Sequence, residues 1–113
     1  MESYEYYIAY CTVPTQDVAD SLADTLLNSK RVACVNIVPG IKSKYWWDGK
    51  VQTNQELLLV MKTRKILVPE LVETVKSNHP YSVPEVITVP ITAGNPAYLE
   101  WLDQNTKLPI NYI

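Results

Sequence analysis

Apolar positions recur along the chain with two periods, and the period changes mark the elements. Tyr4 to Val13 is rich in aromatic and β-branched residues and reads as a strand, ended by Pro14. Ala19, Leu22, Ala23 and Leu26 then fall at i, i+3, i+4 and i+7, one face of a helix. Thr15 is placed to cap that helix, Asp17 sits near the positive end of its dipole, and Asn28-Ser29-Lys30-Arg31 is a polar stop. Val32 to Val38 reads as a second strand, broken at Pro39-Gly40 and resumed through Ile41, Ser43, Tyr45 and Trp47. A proline inside such a run implies an edge strand or a bulge. Asp48-Gly49 is a hairpin signal, because the tight turn needs positive φ.

The return strand is expected from Lys50 to about Lys62. Its Leu57-Leu58-Leu59-Val60-Met61 run is apolar at every position, the pattern of a central strand covered on both faces. Pro69 suits the first position of a second helix, with Glu70 and Glu73 following and Val68, Leu71, Val72 and Val75 forming its apolar face. Asn78 is expected to end that helix in a left-handed conformation. A fourth strand follows from Glu85 to Val89, closed by Pro90. Asn95-Pro96 opens a short third helix carrying Leu99 and Leu102, and the tail from Lys107 to Ile113 has no readable pattern.

The order β-α-β-β-α-β plus a C-terminal helix predicts an α+β, ferredoxin-like sandwich over a single domain, residues 1–113. The sheet order expected is 4-1-3-2, with strand 4 antiparallel to strand 1 and strand 3 parallel to it on the other side. That arrangement brings Cys11, His79 and Glu85 to one rim, with Lys62, Arg64 and the helix N-terminus at Thr15 beside them.

Composition narrows the classes. At 113 residues and 47% hydrophobic, the chain fills one core without a disulfide staple. Its net charge of −2, with both signs mixed, excludes general nucleic-acid binding. No apolar run approaches the ~20 residues that span a bilayer, so no membrane association is expected. The first residues lack the pattern of a signal peptide, so Cys11 and Cys34 are expected as thiols in a reducing, cytoplasmic setting.

His79 is the only histidine, and it lies in Asn78-His79-Pro80-Tyr81-Ser82-Val83-Pro84-Glu85, a stretch stiffened by prolines. Thiolate, imidazole and carboxylate are ligands for copper or zinc, so Cys11, His79 and Glu85 form a candidate metal set. Cys11 equally suits a small buried apolar position, and Glu85 an ion pair with Lys62 or Arg64. Those two cations beside a helix N-terminus suggest instead a site for an anion such as phosphate. One histidine and no nucleophile elbow exclude a Ser-His-Asp set. Three glycines make no phosphate loop, and the cysteines are too far apart for a C-x-x-C pair. No enzymatic activity and no organic cofactor are expected. Tyr45, Trp46 and Trp47 place large apolar area on both faces of an edge hairpin, which predicts contact with other subunits.

These residues resemble the CutA family, the divalent-cation tolerance proteins. Ala33-Cys34-Val35-Asn36-Ile37-Val38-Pro39-Gly40, Ser43-x-Tyr45-x-Trp47-x-Gly49-Lys50, Lys62-Thr63, His79-Pro80-Tyr81-x-x-Pro84-Glu85 and Gly94-Asn95-x-x-Tyr98-Leu99-x-Trp101 carry the likeness. It covers about residues 6–102 and leaves the tail 107–113 outside. The resemblance implies a homotrimer joined by hairpins and edge strands, similar in fold and assembly to the PII signalling proteins, with a link to copper and other divalent metals. In bacterial relatives copper is assigned to a cysteine ending strand 1 and two adjacent histidines before Pro-Tyr. Cys11 and His79 match; Asn78 stands at the other histidine position, where an amide is a poor copper ligand. The alternatives to metal binding are a PII-like module holding a small anion between subunits, centred on Lys62 and Arg64, and a purely structural trimer.

Overall fold

Eight elements follow one another in the computed structural model, which describes residues 3–109. They are β1 (Tyr6–Val13), α1 (Gln16–Asn28), β2 (Cys34–Trp47), β3 (Lys50–Arg64), a 3-10 turn (Lys65–Leu67), α2 (Val68–Asn78), β4 (Val86–Pro90) and α3 (Pro96–Gln104). The last residues of the patternless tail, 110–113, lie outside the described residues.

The local signals operate as chemistry requires. The Thr15 hydroxyl accepts from the Val18 N–H at 3.2 Å and caps α1. Asn95 accepts from the Ala97 N–H at 3.0 Å and caps α3. Asp48 and Gly49 have φ of 52° and 74°, the left-handed pair that lets two strands join through two residues. Two expectations are corrected. Asn78 is not left-handed: α2 passes into extended backbone at His79, with φ −100°, and the Asn78 amide donates back to the Thr74 carbonyl at 2.8 Å. Pro69 is the second residue of α2, because the 3-10 turn delivers the chain to Val68 already wound.

The sheet order is β2-β3-β1-β4, as expected, but the direction expected of β3 is wrong. β1 is antiparallel to both β3 and β4. The reason is topological. A helical crossover through α1 makes β2 parallel to β1, and the hairpin then reverses β3. The end of β3 therefore lies beside the start of β1: Tyr6 pairs with Arg64 and Ile8 with Lys62, whereas Cys11 pairs with Leu59.

Both long helices cover one face of the sheet. Ala9, Cys11 and Val13 of β1 and Leu59 and Met61 of β3 join Leu22 and Leu26 of α1 and Leu71 and Val75 of α2 in one core. Each such leucine contributes about 1.5–3 kcal/mol by leaving water. The other face is less covered. Leu58 and Val60 are only half-buried, so the apolar run of β3 is not sealed on both sides within one subunit. At one end α3 reaches that face, where Tyr6 and Arg64 both contact Asp103.

Along β2 the pairing shifts by one residue. Val38 faces Leu58 and Ile41 faces Glu56, so Pro39 and Gly40 together oppose Leu57. This is a β-bulge, with Gly40 at φ 78°. Before it, the odd positions Val35 and Ile37 pack on the helix side. After it, Ile41, Ser43, Tyr45 and Trp47 share the opposite face with Glu56.

The turn gives a test with an internal control. A Cβ on Gly49 meets no atom within 4 Å, so Gly49→Ala acts only through its positive φ and is expected to cost about 1–2 kcal/mol in chemical denaturation. Gly94→Ala, whose Cβ would rest 3.7 Å from Leu99 without that φ penalty, is expected to be tolerated. Equal stability of the two variants would show that the turn backbone does not govern the hairpin.

Candidate functional site

The loop from His79 to Glu85 is tied to the end of β1 and the middle of β3. His79 is buried; its Nδ1 accepts from the Tyr81 N–H at 3.1 Å, so Nε2 carries the hydrogen and donates to the Thr12 carbonyl at 2.8 Å. The rings of His79 and Tyr81 lie 4.7 Å apart. The Tyr81 hydroxyl donates to the Glu56 carboxylate at 2.8 Å. Glu56 is only 6% exposed although it is charged. Burial, then the hydrogen bond to Glu56, raises the Tyr81 phenol well above its ordinary range, so it stays a donor.

Between this loop and the hairpin arm opens a cleft of about 580 Å³. Glu56 and Thr12 come from the sheet, Ser43, Lys44, Tyr45 and Trp47 from the arm, and Tyr81, Ser82, Val83 and Glu85 from the loop. Tyr45 is further fixed by a hydrogen bond between its hydroxyl and the Asn54 amide. The bulge is what turns Tyr45 and Trp47 to this side. Trp46 faces the other way, paired across the arm with Val51, and it is 74% exposed.

The expected metal residues meet only in part. The Cys11 thiol and the His79 Nε2–H converge on the same carbonyl, Thr12, at 3.6 and 2.8 Å. Cys11 itself belongs to the helix-side core and is fully buried; strand alternation gives the cleft Thr12 instead. Burial, then the charges of Glu85 and Glu56, push the Cys11 thiol up to about 12. His79 has both ring nitrogens engaged, and Glu85 is exposed at the cleft. Among the described residues no group of three or more His, Cys, Asp or Glu side chains is placed to hold a metal ion. Cys11, His79 and Glu85 therefore do not fit a metal ion as a ready-made set.

Lys62 and Arg64 are not on this rim, which corrects their expected placement. The antiparallel β3 carries them to the start of β1, where Arg64 contacts Glu5 at 2.7 Å and Asp103 at 3.4 Å. Lys62 contacts the Asn36 side chain and lies 4.0 Å from the Cys34 sulfur. Two carboxylates on Arg64 leave little attraction for an anion there. Sequence reasoning gave no role to Glu56, Tyr81 or Thr12. A carboxylate opening the apolar run Leu57–Met61 was the available signal for Glu56.

Residues 7–105 match the model of the CutA1 divalent ion tolerance protein family. The chain is 54% identical over 100 residues to the chloroplastic protein CutA 1 of Oryza sativa subsp. japonica, covering 88% of this chain but 56% of that one. It is 48% identical to the divalent-cation tolerance protein CutA of Thermus thermophilus, over 88% of this chain and 96% of that one. The crystal structure of CutA1 from Oryza sativa superposes with a TM-score of 0.90 at 51% identity, over 93% of this chain and 96% of that one. The chain thus spans little more than half the length of its plant relatives and nearly all of a bacterial one.

The two thiols should behave differently. In the folded protein Cys34, half-buried, is expected to react with a disulfide reagent at mildly alkaline pH while Cys11 does not; both react after denaturation. Cys11 also sets a pH dependence. Below its ordinary value near 9.0 the thiol is protonated in the folded and unfolded chains alike; between there and about 12 the unfolded chain ionises first. Its contribution to stability is therefore complete below 9.0 and lost as pH rises toward about 12. Denaturation of the parent and Cys11→Ala over that window checks this, the variant lacking the Cys11 share of the alkaline loss.

Proposed function

The chain belongs to the CutA1 divalent ion tolerance family, and from that premise we propose that it serves divalent-cation tolerance as a homotrimer, without catalysing a reaction. The observation that carries the reading is the arm. β1 pairs with β3 only as far as Leu57, so Ile41–Trp47 and Lys50–Glu56 run on as two strands with no third among the described residues. A lone two-stranded ribbon is marginal in water. This one exposes Trp46, Trp47 and Val51 at 74%, 52% and 56%, area that another copy would remove from water. Trp46 and Val51 are the proposed centre of the contact, with Tyr45 and Trp47 flanking it on the cleft side. Sedimentation of the parent at micromolar concentration is expected to give a trimer, and Trp46→Glu to shift it toward smaller species. A monomeric parent would overturn the reading.

Cys11, His79 and Glu85 are the proposed donors to the metal, in a site made on binding. Cys11 must release a proton from a thiol held at about 12, and His79 must give up one of its two hydrogen bonds. Copper(I), which favours thiolate, suits this set best. Its affinity is expected to rise with pH by about tenfold per unit, one proton leaving for each ion bound. Cys11→Ser should largely abolish binding, His79→Ala weaken it less and Glu85→Gln least, while Asn78→His should strengthen it. Calorimetric titration that finds equal affinity in the parent and Cys11→Ser would place the metal elsewhere.

A further inference from the structure

We propose that the cleft between the hairpin arm and the His79–Glu85 loop binds a small organic cation, a protonated primary alkylamine. The inference goes beyond metal tolerance and rests on Glu56 and the cleft's rings, sharing only Glu85 with the proposed metal donors. Its first support is a buried charge without a counter-charge. Glu56 is 6% exposed, and its hydrogen-bond partner is the neutral hydroxyl of Tyr81. Among the described residues the ion pairs are Arg31–Glu70, Arg64–Glu5, Arg64–Asp103 and Lys76–Glu73. Neither Glu56 nor Glu85 belongs to one. A neutral donor solvates a carboxylate but leaves its charge, and a charge held out of water favours a cation beside it.

The second support is the shape and chemistry of the space above that charge. The cleft, about 580 Å³, lies in the size range of small-molecule sites. The rings of Tyr45, Trp47 and Tyr81 line it, and Glu85 stands at its exposed side. Aromatic faces attract an ammonium group and also cover an alkyl chain. Calcium or magnesium would use neither and would need six or more oxygen ligands where the cleft has two carboxylates and a few hydroxyls, and zinc or copper would want imidazole nitrogen or thiolate sulfur donors, which the cleft lining lacks. Lys44 also borders the cleft but is solvent-exposed and pairs with neither carboxylate. The combination of one buried carboxylate, one exposed carboxylate and three rings therefore fits a carbon chain ending in an ammonium group.

The experiment titrates n-butylammonium chloride into the full, assembled protein, read by calorimetry and tryptophan fluorescence, with n-butanol as the neutral match in size. Saturable binding at one butylammonium per subunit is expected, with butanol about tenfold weaker or worse, since a charge-assisted hydrogen bond is lost. Glu85→Gln, at an exposed position, is expected to keep the fold and weaken butylammonium about tenfold. Glu56→Gln, which retains an oxygen to accept from Tyr81, should weaken it at least as much. Cys11→Ser should leave butylammonium binding unchanged, which separates this site from the proposed metal donors. Butanol binding as well as butylammonium, absence of saturation, or an unaltered affinity in Glu85→Gln would each overturn the proposal.

Discussion

One extra residue in β2 organises the functional half of the molecule. Side chains of a strand alternate between faces, so a single insertion exchanges the two sets from that point onward. Pro39 and Gly40 provide it, opposing Leu57 together. Upstream, Val35 and Ile37 serve the helix-side core; downstream, Tyr45 and Trp47 face the cleft and Trp46 faces away. Without the bulge the arm would present Trp46 to Glu56 and remove Tyr45 and Trp47 from the cleft. The proline also supplies no N–H to a ladder, and the glycine takes a φ of 78° that other residues adopt at a cost, so the irregularity sits where the chain tolerates it best.

The loop after α2 is held to this arrangement by a relay of hydrogen bonds. The Thr12 carbonyl receives His79, the His79 ring receives the Tyr81 backbone, and the Tyr81 hydroxyl reaches Glu56. The first and last of these bonds leave the loop, so the end of β1, the loop and β3 are set relative to one another. The relay also fixes the electrostatics. Burial, then the bond to Glu56, keeps Tyr81 protonated, and burial, then the Glu85 and Glu56 charges, holds Cys11 protonated. The same carboxylates that suit the cleft to a cation therefore oppose the thiolate that copper would need.

The family connection and the geometry meet in the arm. A ribbon of two strands with a tryptophan on each face has two surfaces to satisfy. The side with Trp46 and Val51 is suited to another copy of the chain, and the side with Tyr45 and Trp47 roofs the cleft. The proposed assembly and the proposed ligand capture thus rest on the two faces of one element. The opposite end of the sheet, where Arg64 is held by Glu5 and Asp103, is built for cohesion between α3 and the sheet.

Much of this was legible in the sequence because it is decided within a few residues. The Thr15 and Asn95 caps, the Asp48-Gly49 turn, the face of α1 and the order of elements depend on local backbone chemistry, and the family motifs run through the same stretches. The disruption at Pro39-Gly40 was legible too, as an edge or a bulge. Its consequence was not, because which residues face each other depends on the register with β3. The direction of β3 likewise follows from how the crossover and the hairpin combine, and it moved Lys62 and Arg64 to the far end of the sheet. Glu56 and Tyr81 stand 25 residues apart and acquire meaning only when the loop folds over the sheet. Burial, pairing and charge at that site are properties of distance in space, and only the tertiary structure sets that distance.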